Sequence, residues 1–135
     1  MHELTLQTTQ RTQFIDITRE IQNIVTKQGV STGLCCVFVP HTTAGVTINE
    51  RCDPDVVEDM VERLNELVPQ SPEFRHSEGN SDAHIKASLV GASATIIISQ
   101  GQLRLGTWQG IFFCEFDGPR RRRVWAQILK EEGAQ

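Results

Sequence analysis

From residue 93 onward the hydrophobic period of the chain is two almost to its end: SATIIIS, then GQLRLGTWQGIFFCEF, then RRRVWAQILK. Successive side chains of a strand point to opposite faces, so this pattern specifies strands. In the last segment Val124, Ala126 and Ile128 share one face while Trp125, Gln127 and Leu129 share the other, which favours strand over helix. The last third of the chain therefore reads as a run of antiparallel strands.

What precedes it is mixed. Leu4 and Leu6 alternate with Thr5 and Gln7 in a short strand. Phe14, Ile17, Ile21, Ile24 and Gln28 fall at helical spacing, with Thr18 or Asp16 as N-cap and Gly29 as the stop. GLCCVFVP (33–40) is β-branched and aromatic and ends at proline, the mark of a buried strand; AGVTINE (44–50) alternates as a second. Asp53-Pro54 opens a helix, with proline at the first position, where a missing N–H costs nothing. In it Val56, Val57, Met60, Val61, Leu64 and Leu67 make one apolar face. Residues 69–82 are a polar loop, long enough in so small a chain to suggest that it has work to do. Asp82 is placed to cap a short helix over 83–90, stopped by Gly91. The order is an α+β pattern, with helices over one side of an antiparallel sheet or sandwich, and 1–135 is read as one domain.

Composition narrows the function classes. The chain carries 13 Lys+Arg against 17 Asp+Glu, a net charge of −4, where a duplex-binding protein shows a basic footprint. No apolar run approaches the roughly 18 residues of a membrane helix, and MHELTLQTTQ lacks the layout of a secretory signal. Neither nucleic acid nor membrane is an expected partner. Cys35 and Cys36 are adjacent in a strand and face opposite ways, Cys52 and Cys114 stand alone, and there is no CxxC. Small buried hydrophobes in a reducing cytoplasm fit that usage better than a disulfide frame or a zinc cluster. GxGxxG and GxxxxGK[ST] are also absent.

Three stretches hold chemistry-bearing side chains. PHTTAGVTINE (40–50) sets His41, Thr42 and Thr43 where a buried strand emerges. A single His there is more often a satisfied core or surface residue than a catalyst. FRHSEGNSDAHIKAS (74–88) concentrates His76, Glu78, Asn80, Asp82, His84 and Lys86; with His41 its imidazoles could form an open zinc-type site, or it could be a solvated loop and capped helix. In GTWQGIFFCEFDGPRRRR (106–123), Gln109, Glu115 and Asp117 interrupt an apolar strand and turn. Arg120 to Arg123 split two to each face, as a solvated edge strand or as phosphate ligands.

HTTAGVTINE, HSEGN…AHIKASLVG and GQLRLGTWQGIFFCEFDGPR, in that order and over nearly the whole chain, closely resemble the YjbQ-like family. That resemblance implies an α+β fold with antiparallel sheets in a sandwich and helices outside, assembled as a homotrimer whose subunits lend residues to each other's clefts. It implies a secondary thiamine-phosphate synthase activity, a transferase joining hydroxymethylpyrimidine diphosphate to a thiazole phosphate with release of pyrophosphate. The resemblance draws His41, Thr42, Thr43, His84 and Glu115 into catalysis, and Asn80, Lys86, Gln109 and Arg120 onto the phosphorylated substrate. The N–H groups at residues 82–84 are expected to help hold phosphate. A divalent ion, zinc or magnesium, is expected on some of His41, His76, His84, Glu78 and Asp117. A non-catalytic trimer that binds a phosphometabolite or metal, or a metal-assisted phosphate-ester hydrolase, would use the same groups.

Overall fold

The computed structural model describes residues 1–133. The elements run β1 (His2–Gln7), β2 (Gln13–Asp16), α1 (Thr18–Gln28), β3 (Gly33–Phe38), β4 (Ala44–Glu50), α2 (Pro54–Leu67), α3 (Ser81–Val90), β5 (Ser93–Ser99), β6 (Gln102–Leu103), β7 (Gln109–Glu115) and β8 (Arg121–Lys130). They form two antiparallel sheets, β1-β8-β3-β5-β6 and β2-β7-β4. The fold is α+β.

The main core lies between the sheets. Cys35, Val37, Ile96, Ile98, Val124 and Ala126 of the larger sheet meet Ala44, Val46, Ile111 and Phe113 of the smaller one, with Ile17, Ile21 and Val25 of α1 closing the side. The other face of the smaller sheet carries Phe112 and Cys114, covered by Ala83 and Ala87 of α3 and by Val57 and Leu64 of α2. β7 is thus buried on both faces, and its run IFFC is apolar throughout for that reason.

Several local expectations change. Phe14 belongs to β2, paired with Cys114, and not to the first helix. α1 starts at Thr18 with Ile17, rather than Thr18 or Asp16, at the N-cap; Asp16 Oδ1 accepts from the Thr18 N–H at 2.9 Å, and Gly29 (φ 69°) ends the helix. α3 starts at Ser81 with Asn80 at the N-cap; Asp82 lies inside its first turn. β8 is not a solvated edge: β1 and β3 flank it. Only part of the α2 stripe is used, since no α2 residue is fully buried and Leu67 is largely exposed.

Candidate functional site

Two strand parities meet at one end of the core. On β7, Ile111 and Phe113 point to the larger sheet, and Glu115 follows the same face; on β8, Arg122 follows Val124 and Ala126 inward. The pair that results is sealed, with Glu115 0 % and Arg122 3 % exposed. Arg122 Nε donates to Glu115 Oε1 at 2.8 Å and its Nη2 to Oε2. Thr8 Oγ1 donates to Oε1 at 2.8 Å and the Asp117 N–H to Oε2 at 3.0 Å, so both carboxylate oxygens are saturated. Burial pushes this carboxyl up, but the hydrogen bonds of Arg122, Asp117 and Thr8, with the Arg122 charge, hold it below its ordinary value. Arg122 Nη2 also donates to Thr43 Oγ1 at 2.8 Å, fixing the segment between β3 and β4. The side-chain hydrogen bonds of Arg122 run through Nε and Nη2.

Above this pair opens a cleft of about 690 Å³, lined by His41, Thr42, Thr43, His76, Glu78, Asn80, His84, Asp117, Arg120 and Arg122 with an apolar edge at Phe38 and Val39. Its volume suits a small organic ligand. His41 Nε2 accepts from the Arg123 N–H at 3.0 Å, so the neutral ring carries its proton on Nδ1. Burial lowers the His41 pKa, and Arg122 and Arg123 lower it further. The polar loop supplies the opposite wall. Its His76 ring meets the His84 ring edge-on, 5.5 Å between centroids, and Glu78 Oε1 is 3.9 Å from His76 Nε2. Asp117 Oδ2 accepts from both Asn80 Nδ2 (2.7 Å) and Arg120 Nη2 (2.8 Å), while its Oδ1 is 3.8 Å from Arg11.

The profile of the UPF0047 protein YjbQ-like family matches residues 2–131. The chain belongs to the YjbQ-like family. UPF0047 protein YugU of Bacillus subtilis is 50 % identical over 127 residues, covering 93 % of this chain and 96 % of that one. A UPF0047 protein of Methanocaldococcus jannaschii is 51 % identical, over 94 % and 92 %. The crystal structure of an uncharacterized conserved YjbQ/UPF0047 family protein of Clostridium acetobutylicum superimposes with a TM-score of 0.94 at 53 % identity, covering 96 % and 100 %. A protein of unknown function from Sulfolobus solfataricus gives 0.92 at 34 %, covering 96 % of each chain.

Within this YjbQ-like cleft the expected residues sort by where the topology puts them. His41, Thr42, Thr43, His76, Glu78, Asn80, His84, Asp117 and Arg120 converge. Glu115 does not line the cleft; it is the buried anchor of Arg122, because the parity that turns it away from Cys114 turns it into the core. Gln109 sits six residues from Glu115 at the far end of β7, about 20 Å away at strand rise, and its Oε1 accepts from the Gly106 N–H. Lys86 is 1 % exposed beneath α3, where its Nζ donates to Asn65 Oδ1 at 2.7 Å and to Asp82 at 3.4 Å; it lines a different cavity, with Arg11 and Asp82. The N–H groups of Ala83 and His84 already donate to the Asn80 carbonyl, so they are not free for phosphate.

Asn80 Nδ2 donates one of its two N–H groups to Asp117 Oδ2. The five expected metal ligands do not close on a point: among the described residues no three His, Cys, Asp or Glu side chains are grouped to hold an ion. His41 Nε2 faces the Arg123 N–H and Asp117 is engaged by Asn80 and Arg120. Of the four arginines expected either on a solvated edge or on phosphate, Arg120 and Arg122 line the cleft. Counting back by two from Val124 puts Arg122 on the core face.

Proposed function

We propose that the cleft binds a phosphorylated organic molecule and stabilises its phosphate as a leaving group, in a transferase reaction of the thiamine-phosphate synthase type. The observation that supports this reading is the convergence of His41, His76, His84, Arg120 and Arg122 on one cleft. In that reaction the C–O bond to the diphosphate breaks and pyrophosphate departs with the electron pair. The thiazole ring nitrogen gives its lone pair to the same carbon, forming the C–N bond and a thiazolium. Arg120 and Arg122 hold the pyrophosphate oxygens, and the Nδ1–H of neutral His41 adds a donor. His84, edge-on to His76, donates a proton to the departing pyrophosphate. Apolar Phe38 and Val39 keep water from the developing carbocation.

The test is turnover with hydroxymethylpyrimidine diphosphate and thiazole phosphate, followed by release of pyrophosphate. The reading predicts thiamine phosphate as product and at least a hundredfold loss in His84→Ala and in Arg120→Ala, with folding unchanged. Free alcohol and phosphate as products would make the protein a hydrolase, and saturable binding without turnover a binding module. Activity abolished by a chelator and restored by zinc or magnesium would return His76, His84 and Glu78 to a ligand role.

Two further expectations attach to this reading. The outer face of the larger sheet sets Leu34 beside Ile97 and Leu129, all three exposed, which supports assembly with further copies of the chain into the homotrimer. Phe38, at the cleft mouth, stacks on Trp125 of that same sheet, 5.9 Å between centroids, so the assembly would border the cleft. All four cysteines are free, in keeping with a cytoplasmic setting. No helix among the described residues is long and apolar enough to cross a membrane.

A further inference from the structure

One polar atom in the cleft wall has no partner. Asn80 is 8 % exposed, and its Oδ1 is the one buried side-chain polar atom among the described residues without a hydrogen bond. The orientation of the amide is fixed by chemistry: Nδ2 donates to Asp117 Oδ2 at 2.7 Å, and a flipped amide would set oxygen against carboxylate. Oδ1 is therefore an acceptor by necessity, closed to solvent, and a buried acceptor without a donor is costly. Native chains keep such groups chiefly where something else supplies the partner.

The position of that acceptor is equally constrained. Arg120 Nη2 donates to the same Asp117 Oδ2, at 2.8 Å, so one carboxylate oxygen holds the Asn80 amide and the Arg120 guanidinium side by side. Arg120 is half exposed and keeps N–H groups for an anion. An acceptor that repels phosphate oxygens thus stands within one small-molecule length of a cation that attracts them. Resting on the phosphate reading above, we propose that Asn80 Oδ1 accepts a hydrogen bond from an O–H or N–H of the ligand, and that the cleft selects phosphate esters bearing such a donor a few bonds from the phosphate. The proposal requires a side-chain rotamer change in the cleft wall that opens Oδ1 to the ligand, a common accompaniment of binding.

Two esters that differ by one hydroxyl test this. In calorimetric titrations of the wild-type chain, 2-hydroxyethyl phosphate binds about tenfold or more tightly than ethyl phosphate, and 2-aminoethyl phosphate shares the advantage. In Asn80→Ala, with folding checked by circular dichroism, the preference disappears while ethyl phosphate still binds. Equal affinity of the wild-type chain for the two esters would overturn the role of Asn80 and leave the phosphate reading standing; a buried water on Oδ1 gives that result. A preference that survives in Asn80→Ala assigns selection elsewhere and overturns it too. If neither ester nor inorganic phosphate binds, both readings fall together. The wild-type comparison does not depend on any variant folding.

Discussion

At the scale of single residues, the site rests on a group that never meets the ligand. Glu115 accepts four hydrogen bonds, two of them from Arg122, in a spot without solvent. Removing one partner of such a pair leaves a buried charge uncompensated. Glu115→Gln is therefore expected to cost about 3–5 kcal/mol in denaturant unfolding, far more than a change at exposed Arg121. Its folded pKa lies below the ordinary carboxylate value, so its stabilisation is present above about pH 4.5 and fades as pH falls through the lower folded value. His41 acts higher on the scale. Its folded pKa is depressed, the unfolded chain binds the extra proton, and stability falls as pH drops below about 6.5. His41→Gln should flatten the unfolding free energy just below about pH 6.5. The cleft histidines were legible as residue types in a motif. The Glu115–Arg122 pair was not read, because a charged residue was taken to seek solvent or ligand when its strand parity already aimed it at an opposite charge.

Among elements, β7 explains most of the packing. Its two faces serve two cores, so the segment IFFC shows no alternation and the sequence alone does not say which neighbours it has. β3, β4, β5 and β8 were legible because pattern and β-branching agree there. The four-residue β2 was hidden by Phe14 and Ile17, whose spacing also suits a helix. Helix α3 lies close to β4 at Gly45, where the Val46 N–H donates to the Gly91 carbonyl and an added Cβ would stand 2.6 Å from that oxygen. Gly45→Ala should therefore push α3 away and destabilise the fold by about 1–3 kcal/mol, measured as a lower urea midpoint. The same helix is tied at its other end by Asp82. Burial pushes that carboxyl up, but the hydrogen bonds and charge of Arg11, with Lys86, hold it below its ordinary value. Asp82→Asn, which strands a buried Lys86, should destabilise more than Lys86→Met, which leaves Arg11 on Asp82 at 3.0 Å.

For the whole molecule, the apolar outer face of the larger sheet and the cleft belong to one question, since Phe38 touches both. If the outer face joins copies of the chain as proposed, Ile97→Lys lowers the mass seen in sedimentation with the protomer still folded, because Ile97 is 61 % exposed. The sequence could not reveal this surface: its residues obey the same alternation whether their outward face meets water or another copy. The central claim, that separate segments build one phosphate-binding cleft, is open to a direct test because the chain has four histidines and three line that cleft. His2, bonded to Gln28 at 2.6 Å, is the internal control. In a titration with 2-hydroxyethyl phosphate followed by imidazole nitrogen NMR, the resonances of His41, His76 and His84 should move together along one saturation curve while His2 stays fixed. No movement of the three, or movement of all four alike, would contradict the claim.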